Sequence, residues 1–327
     1  MTIIDTIVNR IESSSCWVVM MVFFIILIST VYIYRLFFLE VNSESGNLKS
    51  KKEGFTLNSN FSLKKGEESL DYFYANMYDH LFFNDVYDDY EIGNILNKIS
   101  PVKETNVLVL GSKTGKHVDI LKSKGYNACG METSRDMIEY SLNKYPKNEF
   151  ILGDATNQLT FENERFTLIT LLHFTIYTIS NRRMLFENCY KWLSPGGFLA
   201  IHLINVGGFY DSQTYGARER RFSPMLSRLF NTNDINNPLG NNDSIVDDII
   251  YRSDMSMNSP EQITLKEIFK NRKTGMKRQN VQIFNTPDQA IILSEAKDAG
   301  FNMLSQFDLL PYNRPFQYIY MLYKPAN

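Results

Sequence analysis

Three runs in this chain are almost free of polar side chains: NVLVL (106–110), FTLITLL (166–172) and FLAIHLI (198–204). Near-continuous apolar runs of this length are expected for strands buried on both faces. Two shorter runs, NACGM (127–131) and FIL (150–152), read as companion strands. Between them lie segments of helical spacing. One runs from about Gly115 to Lys124 and is ended by Gly125. Another follows an N-cap at Thr133 or Ser134 and carries Met137, Ile138, Leu142 and Tyr145 on one face. A third, Asn181 to Leu193, places Leu185, Cys189 and Trp192 at helical intervals. Strands alternating with helices predict a doubly wound, mostly parallel α/β sheet.

Upstream, the aromatic-rich stretch 69–99 predicts two helices separated near Asn84. SPGG (194–197) reads as a stop and turn before the strand at 198–204. Residues 206–245 are rich in Gly, Asn and Ser and lack steady periodicity. Beyond them, three antiparallel strands are expected, with turns near 258–260 and 273–275. A helix from about Pro287 to Gly300 and two strands, around 303–310 and 317–324, complete the chain.

The N-terminus obeys other rules. Trp17 to Tyr34 is eighteen residues without a charge, Arg35 interrupts, and LFFL continues to Leu39. Eighteen helical residues rise about 27 Å, close to the hydrocarbon thickness of a bilayer. Trp17, Tyr32 and Tyr34 suit its two interfaces. A signal peptide fits worse, because the start carries Asp5 and Glu12, the apolar core is too long and no A-x-A follows. Four domain-level parts are therefore expected: a leader at 1–16, a transmembrane helix at 17–39, a flexible linker at 40–68, and a main domain at 69–327 with a cap at 206–284. Arg10 stands alone before the span, whereas Arg35, Lys49, Lys51 and Lys52 follow it. The positive-inside rule then makes this a single-pass membrane protein with its C-terminal domain in the cytoplasm.

A formal net charge of −2 provides no basic footprint, so nucleic acid is not expected as a partner. The three cysteines are scattered; no disulfide framework follows, and Cys129 and Cys189 read as buried thiols. No His, Cys or Asp cluster shows metal-ligand spacing, and no metal is expected. Neither a phosphate-loop motif nor a GxGxxG fingerprint is present. Composition is silent on oligomeric state.

What carries chemistry is the set of strand ends. Gly111 and Gly115 flank a turn between the first strand and its helix, where backbone can approach a ligand. Glu132 ends the second strand, twenty-one residues after Gly111, where a carboxylate can accept from both hydroxyls of an adenine-linked ribose. Asp154 follows the third strand, where the adenine would lie.

In these stretches the chain resembles the class I S-adenosylmethionine-dependent methyltransferases. VLVLGSKTGKH resembles their first motif, usually VLDLGCGTGRH; CGMETSRDMIEYS, LGDATN, FTLITLLHFTIYTI and WLSPGGFLAIHL resemble the stretches that follow. The resemblance, over about Tyr72 to Lys324, implies a seven-stranded Rossmann-like sheet and S-adenosylmethionine as cofactor. It implies cofactor contacts from Gly111, Lys113, Gly115, Glu132, Thr133, Met137, Asp154 and Ala155, with Tyr74 and Tyr78 closing over the cofactor. Two departures stand out: Val109 replaces the acid of the first strand, and Lys113 replaces a glycine. The Lys113 ammonium can point outward or meet the cofactor carboxylate.

His173, Tyr177 and Asn205 fall at neighbouring strand ends and are the catalytic candidates, with His173 as base where the acceptor is a hydroxyl or protonated amine. His117 reads as cofactor-proximal, and His80 and His202 have no partner visible in the sequence. The expected function is methyl transfer to a small-molecule or membrane-proximal acceptor. The rival is a cofactor-binding or scaffold protein of the same fold without turnover, which Val109 and Lys113 favour and Glu132 and Asp154 oppose.

Overall fold

The computed structural model describes residues 61–99, 105–209, 244–312 and 314–326. The expected membrane span at 17–39 lies outside these residues, as do most of the linker and residues 210–243 of the cap. Among the described residues, no helix is long and apolar enough to cross a membrane.

The described chain opens on a strand, β1 (Phe61–Lys65), and a single 3-10 turn, Gly66–Ser69. Two helices follow, α1 (Tyr72–Phe82) and α2 (Asp85–Ile99), separated at Asn84 as the sequence implies. The alternating region then runs β2 (Asn106–Leu110), α3 (Lys116–Ser123), β3 (Asn127–Glu132), α4 (Arg135–Lys144), β4 (Glu149–Leu152), β5 (Phe166–Leu171), α5 (Arg182–Trp192) and β6 (Leu193–Ile204). An antiparallel set, β7 (Ser244–Val246), β8 (Ile249–Ser259), β9 (Gln262–Asn271) and β10 (Lys277–Asn285), comes next. The chain closes with α6 (Gln289–Asp298), β11 (Asn302–Asp308) and β12 (Gln317–Tyr323).

Seven strands form one sheet in the order β11-β12-β6-β5-β2-β3-β4. β2, β3, β4, β5 and β6 are parallel, and β12 inserts antiparallel between β6 and β11. Alternation along β2 shows why its run is apolar throughout. Leu108 and Leu110 face a core that holds Leu185, Cys189 and Trp192 of α5. Val107 and Val109 face the other core, with Ile92 and Ile95 of α2 and Val118 and Leu121 of α3. Val109 is therefore a packing residue. Burying 2 % exposed valine there avoids the cost that a carboxylate would incur among these aliphatic groups. Cys129 and Cys189 are buried thiols, and burial pushes the Cys129 thiol up to about 12.

Two boundaries differ from the sequence reading, and one that it left open is decided. SPGG is no turn: β6 runs through it from Leu193, with Gly196 at φ +76° and a register shift against β5 between Phe166 and Leu168. An irregular strand thus stands where two glycines implied a stop, because Gly196 N–H and Gly197 C=O both pair with Lys324. Helix α4 is capped by Ser134, not Thr133; the Ser134 hydroxyl accepts from the Met137 N–H at 3.2 Å. Finally, residues 61–65 fall in the expected linker but form β1, parallel to β10 at the edge of the second sheet, β1-β10-β9-β8-β7. Their polar sequence, FSLKK, has only the weak alternation of an edge strand.

Candidate functional site

The loop after β2 is built by its glycines. Gly111 sits at φ +65°, and a Cβ there would lie 2.4 Å from Thr175 Cγ2. Gly115 sits at φ +82°, and a Cβ there would lie 2.5 Å from Phe150 Cζ. Lys113, between them, also holds a left-handed φ of +49°, so the position keeps a glycine-like backbone although it carries a long side chain.

That backbone wraps around Glu132, which is 2 % exposed at the end of β3. Its Oε2 accepts from the Lys113 N–H at 3.0 Å; its Oε1 accepts from the N–H groups of Thr133 at 2.9 Å and Ser134 at 3.2 Å. The Lys113 ammonium stands 3.5 Å from the same Oε2. Burial pushes the Glu132 carboxyl up, but the Lys113 ammonium and the three N–H groups outweigh it and hold the carboxyl below its ordinary range. The Lys113 ammonium therefore lies against the Glu132 carboxylate and does not point outward.

Around these groups is a cavity of about 390 Å³, within the range of small-molecule sites. Gly111, Lys113, Glu132, Thr133, Asp154 and Ala155 all line it, at the carboxyl ends of β2, β3 and β4. Asp154 is exposed, and its Oδ1 accepts from the Thr156 N–H at 2.8 Å, which fixes the carboxylate at the rim. Met137 does not reach the cavity: it is fully buried with Phe73 and Tyr74 between α1 and α4. Met131, the residue before Glu132 on β3, lines the cavity instead. Gly115 shapes the loop without lining the cavity.

A second chamber adjoins the first, with Leu70, Lys113, Thr175, Thr178 and Gln282 lining both. Its other walls are aromatic and polar: Tyr74, Tyr78, Phe82, Phe174 and Phe284, with His202, Arg314 and Gln317. Tyr74 and Tyr78 thus line this chamber and not the first cavity. The Tyr74 hydroxyl donates to Glu267 Oε1 at 2.9 Å, and the Tyr251 hydroxyl donates to the same oxygen at 2.8 Å. Burial pushes the Glu267 carboxyl up to about 7, against which both phenols and the Arg278 charge pull it down. Leu265, Gln282 and Phe284 place β9 and β10 as the roof, so the antiparallel sheet stands where a cap was expected.

The catalytic candidates separate. His173 lines the second chamber, but its Nε2 is 3.9 Å from Asp88 Oδ1 and 3.9 Å from Glu91 Oε2. Tyr177 lines neither space: it is fully buried, and its hydroxyl accepts from the Ile204 N–H at 2.8 Å. Its burial pushes the phenol well up, so it serves the sheet and not proton transfer. Asn205 is exposed and uses its Oδ1 to accept from the Gly208 N–H at 3.1 Å, outside both cavities. Strand-end position alone could not tell which way these side chains turn. His117 does not line the first cavity; with Asp88, Glu91 and His173 it forms a cluster in which one ligand atom from each residue lies within 4.8 Å of the others. No sequence spacing announces this group, because the fold joins residues up to eighty-five positions apart.

Comparison with known proteins agrees with this geometry. A family model described as a methyltransferase domain matches residues 108–201. Phosphoethanolamine N-methyltransferase of Plasmodium falciparum is 30% identical over 114 residues, 33% of this chain and 42% of that protein. Demethylmenaquinone methyltransferase of Thermotoga maritima is 32% identical over 109 residues, 33% of this chain and 47% of that protein. The chain thus spans less than half the length of these curated relatives. An S-adenosylmethionine-dependent methyltransferase from Clostridium acetobutylicum superposes with a TM-score of 0.58 at 17% identity, over 77% of this chain and 98% of that one. The chain therefore carries a match to the methyltransferase domain on a Rossmann-like methyltransferase fold, and these findings support S-adenosylmethionine as its cofactor.

Proposed function

We propose that this protein transfers the methyl group of S-adenosylmethionine to a small-molecule or membrane-proximal acceptor, and that residues 17–39 hold it to a membrane with the catalytic domain on the cytoplasmic side. The observation that carries the reading is the pair of adjoining cavities. One is lined by Gly111, Glu132 and Asp154 at consecutive strand ends, and the other is aromatic and roofed by β9 and β10. A nucleoside in the first space, with its ribose on Glu132 and its adenine by Asp154, directs the sulfonium methyl toward the second. The second space measures about 50 Å³, so an acceptor enters between Tyr78, Phe82 and Phe174 as those walls part, with its polar end toward Gln282 and Gln317. Methyl transfer needs mainly in-line placement, and these walls supply it by holding the two reactants together.

His173 is not assigned as the base, since its Nε2 faces Asp88 and Glu91. A good nucleophile such as a neutral amine or an ionised hydroxyl needs none. The reading without turnover has one observation in its favour, the Lys113 ammonium on the ribose acid. Calorimetry of the full-length chain in detergent with S-adenosylmethionine separates them, followed by transfer of a labelled methyl group to a panel of amines, phenols and quinols. Binding with transfer is expected; binding without transfer to any class would favour the scaffold. For topology, protease added to the cytoplasmic face of sealed membranes should digest the domain, and protection there would refute the orientation.

A further inference from the structure

Asp88 and Glu91 are three residues apart on α2, so both leave the same face of the helix. That face turns inward, and both side chains are fully buried. Opposite them stand His117, in the first turn of α3, and His173, just beyond β5. The two imidazoles meet edge to face with centroids 4.8 Å apart, and Phe83 covers them at 5.3 Å and 5.0 Å. One donor atom from each of the four residues lies within 4.8 Å of every other. Asp88 is itself held in place, since its Oδ2 accepts from the Asn84 N–H at 2.9 Å and leaves Oδ1 toward His173.

Two carboxylates brought to one buried point repel each other, and burial penalises each charge separately. A divalent cation placed among them takes one donor from each of the four residues and brings positive charge to the point where the two carboxylates meet. The mixed nitrogen and oxygen set does not suit calcium or magnesium, which take oxygen ligands, and it contains no thiolate. The geometry points to a divalent transition-metal site formed by Asp88, Glu91, His117 and His173, with zinc as the best-matched ion. Tetrahedral donors at zinc distances of 2.0–2.2 Å are about 3.4 Å apart, so the cluster closes by roughly 1.4 Å at most, within reach of side-chain rotation.

Four protein ligands make a closed site of the structural kind. Of the four, only His173 also lines the acceptor chamber, so the ion stands behind the chamber wall. It ties α2 and α3 to the end of β5 and fixes the His173 ring; a metal-bound Nε2 takes no proton from an acceptor. These residues position the wall and do not react.

The test uses the full-length chain purified in detergent, stripped with a chelator and titrated with zinc chloride. About one equivalent per chain is expected, and Glu91→Gln and His117→Gln should each weaken binding by about a hundredfold or more. X-ray absorption at the zinc edge of the wild type should show two imidazole and two oxygen scatterers, a readout that needs no variant to fold. Zinc bound no better than to a chain carrying both Glu91→Gln and His117→Gln, a folded Glu91→Gln that binds as tightly as wild type, or an edge spectrum without imidazole would each overturn the site. In the first case the cluster is an ion-paired histidine network only.

Discussion

Replacing Lys113 by glycine tests how the modified loop works. The ammonium stands 3.5 Å from Glu132 Oε2, with the lysine side chain 14% and the glutamate side chain 1% exposed. At an effective dielectric of 20, a pair at that separation attracts by about 5 kcal/mol before desolvation. Desolvating both ions and fixing the lysine chain remove most of this, leaving roughly 1–2 kcal/mol net. A ribose hydroxyl that takes up Oε2 must displace or share with the ammonium and so works against that sum. Glycine retains the N–H that donates to Oε2 and accepts the left-handed φ of +49° without strain. Its relief of strain, about 1 kcal/mol, is offset by its larger freedom in the unfolded chain. Lys113→Gly is therefore expected to bind S-adenosylmethionine about five- to thirtyfold more tightly, the equivalent of 1–2 kcal/mol. Calorimetry should find the same factor for S-adenosylhomocysteine and for adenosine, which share the ribose. Weaker binding of the two methionine-bearing ligands with unchanged adenosine would refute this argument and place the ammonium on the amino-acid carboxylate instead.

Glu132→Gln keeps the shape of the side chain but removes the charge that three N–H groups and an ammonium are arranged to meet, so cofactor affinity should fall at least about tenfold by calorimetry; unchanged affinity in a folded variant would remove Glu132 from the site. Gly111→Ala sets a Cβ 2.4 Å from Thr175 Cγ2 on a left-handed backbone, and urea unfolding should show a loss of about 2–4 kcal/mol together with weaker cofactor binding. Glu267 is held at about 7 in the fold against an ordinary 4.5, so its neutral form is favoured by folding. The stability it contributes is complete below pH 4.5 and is lost as pH rises to about 7, a change of roughly 3 kcal/mol; unfolding curves of Glu267→Gln should be flatter than wild type across that window.

The α/β core was legible because burial on both faces leaves strands no polar positions. NVLVL, FTLITLL and FLAIHLI therefore announce themselves, and the helices between them keep a 3.6-residue apolar period. Glu132 and Asp154 were legible for a related reason: a strand end fixes a residue's place along the sheet. It does not fix the direction of the side chain, which is why Tyr177 and Asn205 stood as candidates and yet turn to the backbone. Met137 was similarly misplaced by one helix face. The cluster of Asp88, Glu91, His117 and His173 left no spacing signal, since three separate elements bring it together. A hint was available on α2 alone, where two acids at an i, i+3 interval share a face with otherwise apolar neighbours. Arg278 was equally hidden: it lies fully buried in β10, with its guanidinium on Asp71 at 2.7 Å and over the Phe73 ring.

Strand β1 decides where this protein can be cut. Ser69 is the natural place to begin a shortened form, because the aromatic helices start just after it. Such a form would lose the five residues that pair with Lys277 to Val281, and with them Gly66 and Glu67 from the rim of the cofactor cavity. It would also bare the outer edge of β10, whose unpaired N–H and C=O groups are a template for another chain. A preparation trimmed in this way would aggregate and bind cofactor poorly for reasons unrelated to catalytic competence. The smallest excised piece whose behaviour speaks for the whole begins at or before Phe61.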